Sequence, residues 1–340
     1  MYNNFMKYCP RCGCRLDPES KFCIYCGKNL DSGAKKVFGN IWKISWPVLL
    51  FFGIQSVVVI MYTIIAVFSL AFKITLSGGS AYFTEDPDAL TEYVMSSLNM
   101  HLPIFIYGCA TVLVFFLIFR KQWKTESFLS CKKAKPAPIL LGVSFGASFN
   151  LVVLGVLSFL PIPEDLAQQD MLNNLFGAPL PVMIVNIALM AALTEEIVLR
   201  GIIQRRLMKM MKVSGAVILQ AFIFGLMHFS PVQSSYAFVL GIIIGLVYYW
   251  HDSIWLPITI HFVFNATSVL LSHFAGDIEL KINMVGLIII TVISLVISAG
   301  SIIELYRRRT KKNINRFYDS PNSQNNNSSN TNNITPPFIG

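Results

Sequence analysis

Charge is scarce in this chain. Asp, Glu, Lys and Arg make up 13% of its 340 residues, against about a quarter in an ordinary soluble domain, so a water-soluble globule is excluded as a class. Period-two alternation of apolar and polar residues does not recur, which speaks against a barrel and leaves helices as the spanning element. No internal repeat of the kind that builds transporters is visible. The chain opens on cysteines rather than on a basic-then-apolar leader, which predicts no cleavable signal peptide. What is abundant is apolar: 54% of residues are hydrophobic, with a mean hydropathy of +0.58. The net charge of +9 would suit nucleic acid, but the basic residues cluster in short segments beside apolar runs, which is a topology signal. The expectation is an all-α polytopic membrane protein.

Eight apolar runs read as spans: Pro47 to Phe72, Leu102 to Phe119, Ala137 to Leu160, Leu180 to about Leu199, Gly215 to Phe229, Tyr236 to Trp250, Ile254 to Leu271 and Ile282 to Leu305. With the N-terminus inside, the basic segments after spans two, four and eight all fall on the cytoplasmic side. The acidic loops, with Glu85, Asp86, Asp88 and Glu92 and with Glu164, Asp165 and Asp170, then fall outside. Spans five and six, about 15 residues each, are shorter than the roughly 20 that cross a bilayer comfortably. They predict tilt-free, buried or partly re-entrant helices around a polar cavity. Residues 32–46 read as a linker, 47–306 as the helical bundle, and 307–340 as a basic, then Asn- and Ser-rich, disordered tail.

Cys9-Pro10-Arg11-Cys12-Gly13 and Cys23-Ile24-Tyr25-Cys26-Gly27 form two C-x-x-C-G knuckles ten residues apart. Thiolates at this spacing complete a tetrahedral shell around zinc, and each glycine permits the tight turn after its second ligand. About thirty residues cannot bury a useful core, so the metal would supply the folding energy. Residues 9–30 resemble the short zinc ribbons at the ends of many bacterial proteins, which makes 1–31 a ribbon domain with Cys9, Cys12, Cys23 and Cys26 as ligands and Cys14 left over. A reduced, zinc-loaded ribbon implies a cytoplasmic N-terminus in agreement with the charge pattern. Nothing near it favours nucleic acid, so the ribbon reads as a docking module for a cytoplasmic protein.

The polar residues inside the apolar runs carry the chemistry. Thr194-Glu195-Glu196-Ile197-Val198-Leu199-Arg200 lies where span four meets a basic stretch. Two carboxylates at the end of such a segment cost about 2.5–3.5 kcal/mol each on insertion scales. In a helix Glu196 and Arg200 share a face, and Glu195 points roughly 100° away and needs another partner. The plainer reading is an interfacial salt bridge. Phe224 and His228 are four apart in span five, and His261 and Asn265 are four apart in span seven. Of five histidines these two read as lying in spans, where ionisable groups face one another or a watery cavity. A carboxylate beside a water can act as general base. Imidazoles can bind a metal that activates the same water, or hydrogen-bond the water and the developing oxyanion. Asn265 can donate to an oxyanion or simply join two helices. The set fits hydrolysis of an amide or related bond. Other designs fit worse: there is no H-E-x-x-H helix, no evident serine–histidine pair and no pair of intramembrane aspartates.

Glu195-Glu196-x-x-x-Arg200, Phe224-x-x-x-His228 and His261-x-x-x-Asn265, in that order, resemble the CAAX prenyl protease and bacteriocin-processing family of intramembrane proteases, often called the Abi or CPBP family. The resemblance covers about residues 135–275. It implies an endopeptidase whose site opens from the cytoplasmic side into the bundle and whose substrate is a membrane-bound peptide or protein. Carried over, Glu195 is the water-activating glutamate, Glu196 and Arg200 its supporting pair, His228 and His261 the water or metal binders, and Asn265 an oxyanion or orienting group. Two histidines and a glutamate can hold zinc with an open position and can equally hold a water; the reading favoured is a glutamate-activated water, with metal assistance at the site left open and structural zinc in the ribbon. The competing function is a non-catalytic membrane scaffold or peptide-immunity protein that docks partners through the ribbon. The location expected is the bacterial cell membrane, both termini cytoplasmic.

One expectation strains the rest. At ~1.5 Å per residue, His228 lies ~21 Å from the start of span five, whereas Glu195 lies within ~10 Å of the basic segment. A shared site needs span five to start deep in the bundle, or span four to be longer than its apolar run.

Overall fold

The computed structural model describes residues 34–76, 98–125, 135–161, 175–275 and 283–309. The zinc-ribbon cysteines and the Asn-rich tail lie outside the described residues. Among those described, all regular structure is helical: α1 (Ala34–Leu76), α2 (His101–Thr125), α3 (Pro136–Ser158), α4 (Leu180–Met208), α5 (Val213–Leu226), α6 (Pro231–His251), α7 (Trp255–Ala275) and α8 (Met284–Arg307). Seven are long and apolar enough to cross a membrane; α5, with 14 residues, is the shorter eighth. The chain is an integral membrane protein. Its exposed surface is correspondingly apolar, with Phe68, Leu113, Ile218 and Val296 among the uncovered side chains.

The chain divides into two compact units, Met1–Gly53 and Ile54–Gly340, with the division inside α1. The first unit's described part is the opening of α1, so residues 34–46, read as a linker, are already helical. The candidate membrane span within this helix begins at Gly39 and so takes in most of the stretch. The second unit contains the six candidate catalytic residues, Glu195, Glu196, Arg200, His228, His261 and Asn265.

Within it, α3 lies along both α7 and α8, α5 pairs with α6, and α4 packs against α2, α5 and α7. Close approach of α3 and α7 depends on Gly146, where a methyl group would stand 2.7 Å from the backbone oxygen of Ile260. Ser148 and Ser298 join α3 to α8 by a buried hydroxyl pair at 2.7 Å.

Two expectations change. Span six is 21 residues, not about 15. It starts earlier because Ser230 caps the helix, accepting from the Gln233 N–H, and Pro231 fills the first position, where no N–H is needed. Span four does not stop near Leu199 but runs unbroken to Met208, through two π-helical stretches, Ile184–Met190 and Ile197–Gln204. The helix continues because Arg200 and Gln204, polar by sequence, are fully buried and find partners inside the bundle.

Candidate functional site

The long fourth helix resolves the conflict of depth. Glu195 stands thirteen positions before Met208, about 20 Å along α4, and His228 stands fifteen positions after Val213, about 22 Å from the start of α5. Residues 209–212 join the two helices, so both side chains reach one level of the bundle. His228, expected within span five, lies instead in the turn that follows α5. That turn is sharp: Phe229 takes a left-handed conformation at φ 54° before Ser230 opens α6. Bulky residues seldom adopt this conformation, and such strain gathers at functional sites.

Glu196 is the fixed carboxylate. Its Oε1 accepts from Arg200 Nη1 and from His261 Nδ1, each at 2.8 Å, and neither Glu196 nor Arg200 has any exposed side-chain surface. The i, i+4 pairing read from the sequence is present although the turn joining them is π-helical. The guanidinium also donates through Nη2 to the Gly241 carbonyl at 3.3 Å and sits 4.9 Å from the centre of the Phe224 ring. A buried pair needs such extra contacts to offset its desolvation.

Glu195 is different. Its side chain retains 19% exposure against none for Glu196, and its Oε2 approaches His261 Nε2 at 3.8 Å, with no hydrogen-bond partner in the protein. Adjacent glutamates pointing in different directions therefore flank opposite edges of one imidazole. Tyr107 of α2 lies within electrostatic reach of Glu195.

Phe224 is the hub. Its ring meets those of His228 at 4.9 Å and His261 at 5.6 Å, both edge-on, besides carrying Arg200. His228 Nδ1 donates to the Phe224 carbonyl at 2.9 Å. A carbonyl or carboxylate can only accept, so in the neutral imidazoles both Nδ1 atoms carry the proton and both Nε2 atoms are free acceptors. Asn265, one turn beyond His261, donates through Nδ2 to the Ile187 carbonyl at 3.2 Å. That bond ties α7 to the first π-helical stretch of α4 and leaves a second amide proton unspent.

The structure thus joins Glu195, Glu196, Arg200 and His261 directly, brings His228 in through Phe224, and sets Asn265 alongside on α7. Sequence reasoning missed Gln204 and Gln220, fully buried beside Arg200. Gln204 follows Arg200 by four, and Gly241-x-x-x-Gly245 opposite them is a readable close-packing motif. It missed His101 too: this histidine opens α2, is buried, and lies against Asn186 of α4, whose amide donates to its carbonyl at 3.1 Å. Among the described residues no group of three or more His, Cys, Asp or Glu side chains is disposed to hold a metal ion.

Fold and site together define a polytopic helical membrane protein with a carboxylate–imidazole–guanidinium cluster buried in its bundle. Residues 177–267 match the family model of the Rce1-like proteins, described as type II CAAX prenyl endopeptidase Rce1-like. The match takes in α4, α5, α6 and most of α7, and hence all six residues singled out above. No curated protein and no solved structure matches the chain.

Proposed function

We propose that the chain is an intramembrane endopeptidase that hydrolyses peptide bonds of membrane-associated proteins or peptides with a glutamate-activated water. The observation that carries the reading is the inequality of the two glutamates. Glu196, held between Arg200 and His261, has no freedom to move a proton, whereas Glu195 is partly open and uncommitted. The 3.8 Å between Glu195 Oε2 and His261 Nε2 is a gap that a water in contact with both atoms spans.

The chemistry then follows from the donors and acceptors present. Glu195 takes a proton from the water, whose second proton rests on a free imidazole Nε2, and the water oxygen attacks the scissile carbonyl carbon. The unspent Asn265 amide proton is the donor available to the resulting oxyanion. Glu195 returns its proton to the amine as the carbon–nitrogen bond breaks. Arg200 pairs with Glu196, and Glu196 in turn fixes the tautomer and orientation of His261. No step needs a metal.

The substrate class is peptide chains at the cytoplasmic side of the bilayer, with both termini of the protein on that side. Structural zinc on Cys9, Cys12, Cys23 and Cys26 would build a ribbon that docks a cytoplasmic partner. The test compares membrane-associated peptides from cells expressing the wild type or Glu195→Gln at matched levels. Peptide termini present only with the wild type establish proteolysis. Identical profiles, with the variant still rescuing the deletion phenotype, leave a scaffold instead.

A further inference from the structure

The groups that hold Arg200 come from three helices in matching register. On α4, Arg200 and Gln204 are one turn apart; on α6, Gly241 and Gly245 have the same spacing. Arg200 Nη2 donates to the Gly241 carbonyl at 3.3 Å and Gln204 Nε2 to the Gly245 carbonyl at 2.8 Å. From α5, Gln220 Nε2 donates to that same Gly241 carbonyl at 2.8 Å. A methyl group at Gly245 would stand 2.6 Å from Gln220 Nε2 and 3.2 Å from Gln204 Oε1, so the two amides meet across this glycine.

These glutamines are poor stabilisers. Both are wholly buried, and the Oε1 of each finds no partner in the protein. An apolar side chain of equal size would fill the space without leaving an oxygen unpaired. Their effect is on geometry. Arg200 has two carboxylates within electrostatic reach, Glu196 and Glu195; its i, i+4 spacing favours Glu196, and its contacts on the far side hold it there. Its Nε is unpaired within the protein, so the Gly241 carbonyl and the Phe224 face are what anchor the guanidinium away from Glu195.

We propose that Gln220 and Gln204 are positioning residues that hold Arg200 on Glu196, by fixing the Gly241 and Gly245 carbonyls against α4, and so keep Glu195 free to act as base. The inference rests on the hydrolytic reading of Glu195. Loss of either amide lets the guanidinium swing to Glu195 and neutralise it while the fold persists.

The test places Gln220→Met in lipid nanodiscs, in the wild-type and Arg200→Gln backgrounds, with a quenched fluorescent lipopeptide as substrate. Expected is a fall in kcat of about tenfold with KM unchanged in the wild-type background, and no further fall when Arg200 is already replaced. Equal losses in both backgrounds overturn the proposal, since a merely structural role would act in each. A second readout needs no activity: the nitrogen-15 resonances of the Arg200 guanidinium shift and broaden in Gln220→Met. Gly245→Ala, which pushes the Gln220 amide aside without removing it, moves them the same way. Unmoved resonances overturn the proposal whatever the kinetics. Moved resonances, in a protein whose wild type cleaves nothing, support the clamp and sink the hydrolytic reading alone.

Discussion

Glu196 and His261 are bound through a single 2.8 Å contact between Oε1 and Nδ1, sixty-five residues apart in sequence and both buried. That contact joins α4 to α7 at the level where Arg200, Glu195 and Phe224 also converge. It sets which face of the imidazole is left for chemistry, and the two glutamates consequently have separate fates on substitution.

Glu195→Gln keeps the size and hydrogen bonding of the side chain and removes its basicity. Cleavage of a membrane-anchored peptide falls by about 10²–10⁴-fold, the range of one general base. Thermal unfolding in nanodiscs is unchanged. A variant that retains full cleavage sinks the assignment of Glu195.

Glu196→Gln and Arg200→Met each leave an uncompensated group in the interior. Each single change destabilises the bundle by about 3–5 kcal/mol, and the double change costs less than the two added together. A denaturation cycle in mild detergent checks this, and simple additivity would show that the pair is not coupled.

Gly146→Ala puts a methyl against the Ile260 carbonyl and 3.2 Å from the Phe264 nitrogen, both backbone atoms of the helix that carries His261. Backbone cannot swing aside as a side chain can, so about 1–3 kcal/mol of stability is lost and cleavage drops with it. Gly300→Ala, with nothing within 4 Å, is the control and leaves cleavage unaltered.

Zinc analysis of the purified protein finds about one ion per chain, bound by the four knuckle thiolates. Cys23→Ser with Cys26→Ser abolishes it. Chelation removes the ion from the wild type without stopping peptide cleavage. Cleavage that dies with chelation and revives with zinc in the double cysteine variant would place a metal at the catalytic cluster instead.

Much of this was legible from residue types. Long apolar runs announce helices because a backbone in lipid must satisfy itself, and the six polar residues in or beside those runs stand out because burying them is costly. The end of α4 was not legible. A window of hydropathy stops at Arg200, since it has no means of knowing that Glu196, Gly241 and Phe224 would take up the charge. The start of α6 was missed for the opposite reason, since Ser230 and Gln233 look like loop but serve as a cap. His101 escaped because it stands at the edge of an apolar run, where a histidine excites no suspicion, and only Asn186 across the interface reveals its burial.

The two π-helical stretches of α4 bear on how this rod is aimed. Each closes its hydrogen bonds one residue later than an α turn, so each stores one residue of slack. Removing a single residue from 184–190 would let that stretch close into α turns, so the slack is taken up and Glu195 keeps its direction relative to Pro181. The same removal from the α-helical residues 191–194 has no slack to draw on and would swing both carboxylates about 100° away from His261. The phase of the helix is therefore guarded from within, by slack on either side of the glutamates. Changes of length at 177–179 or 209–212, outside the rod, would leave its aim untouched.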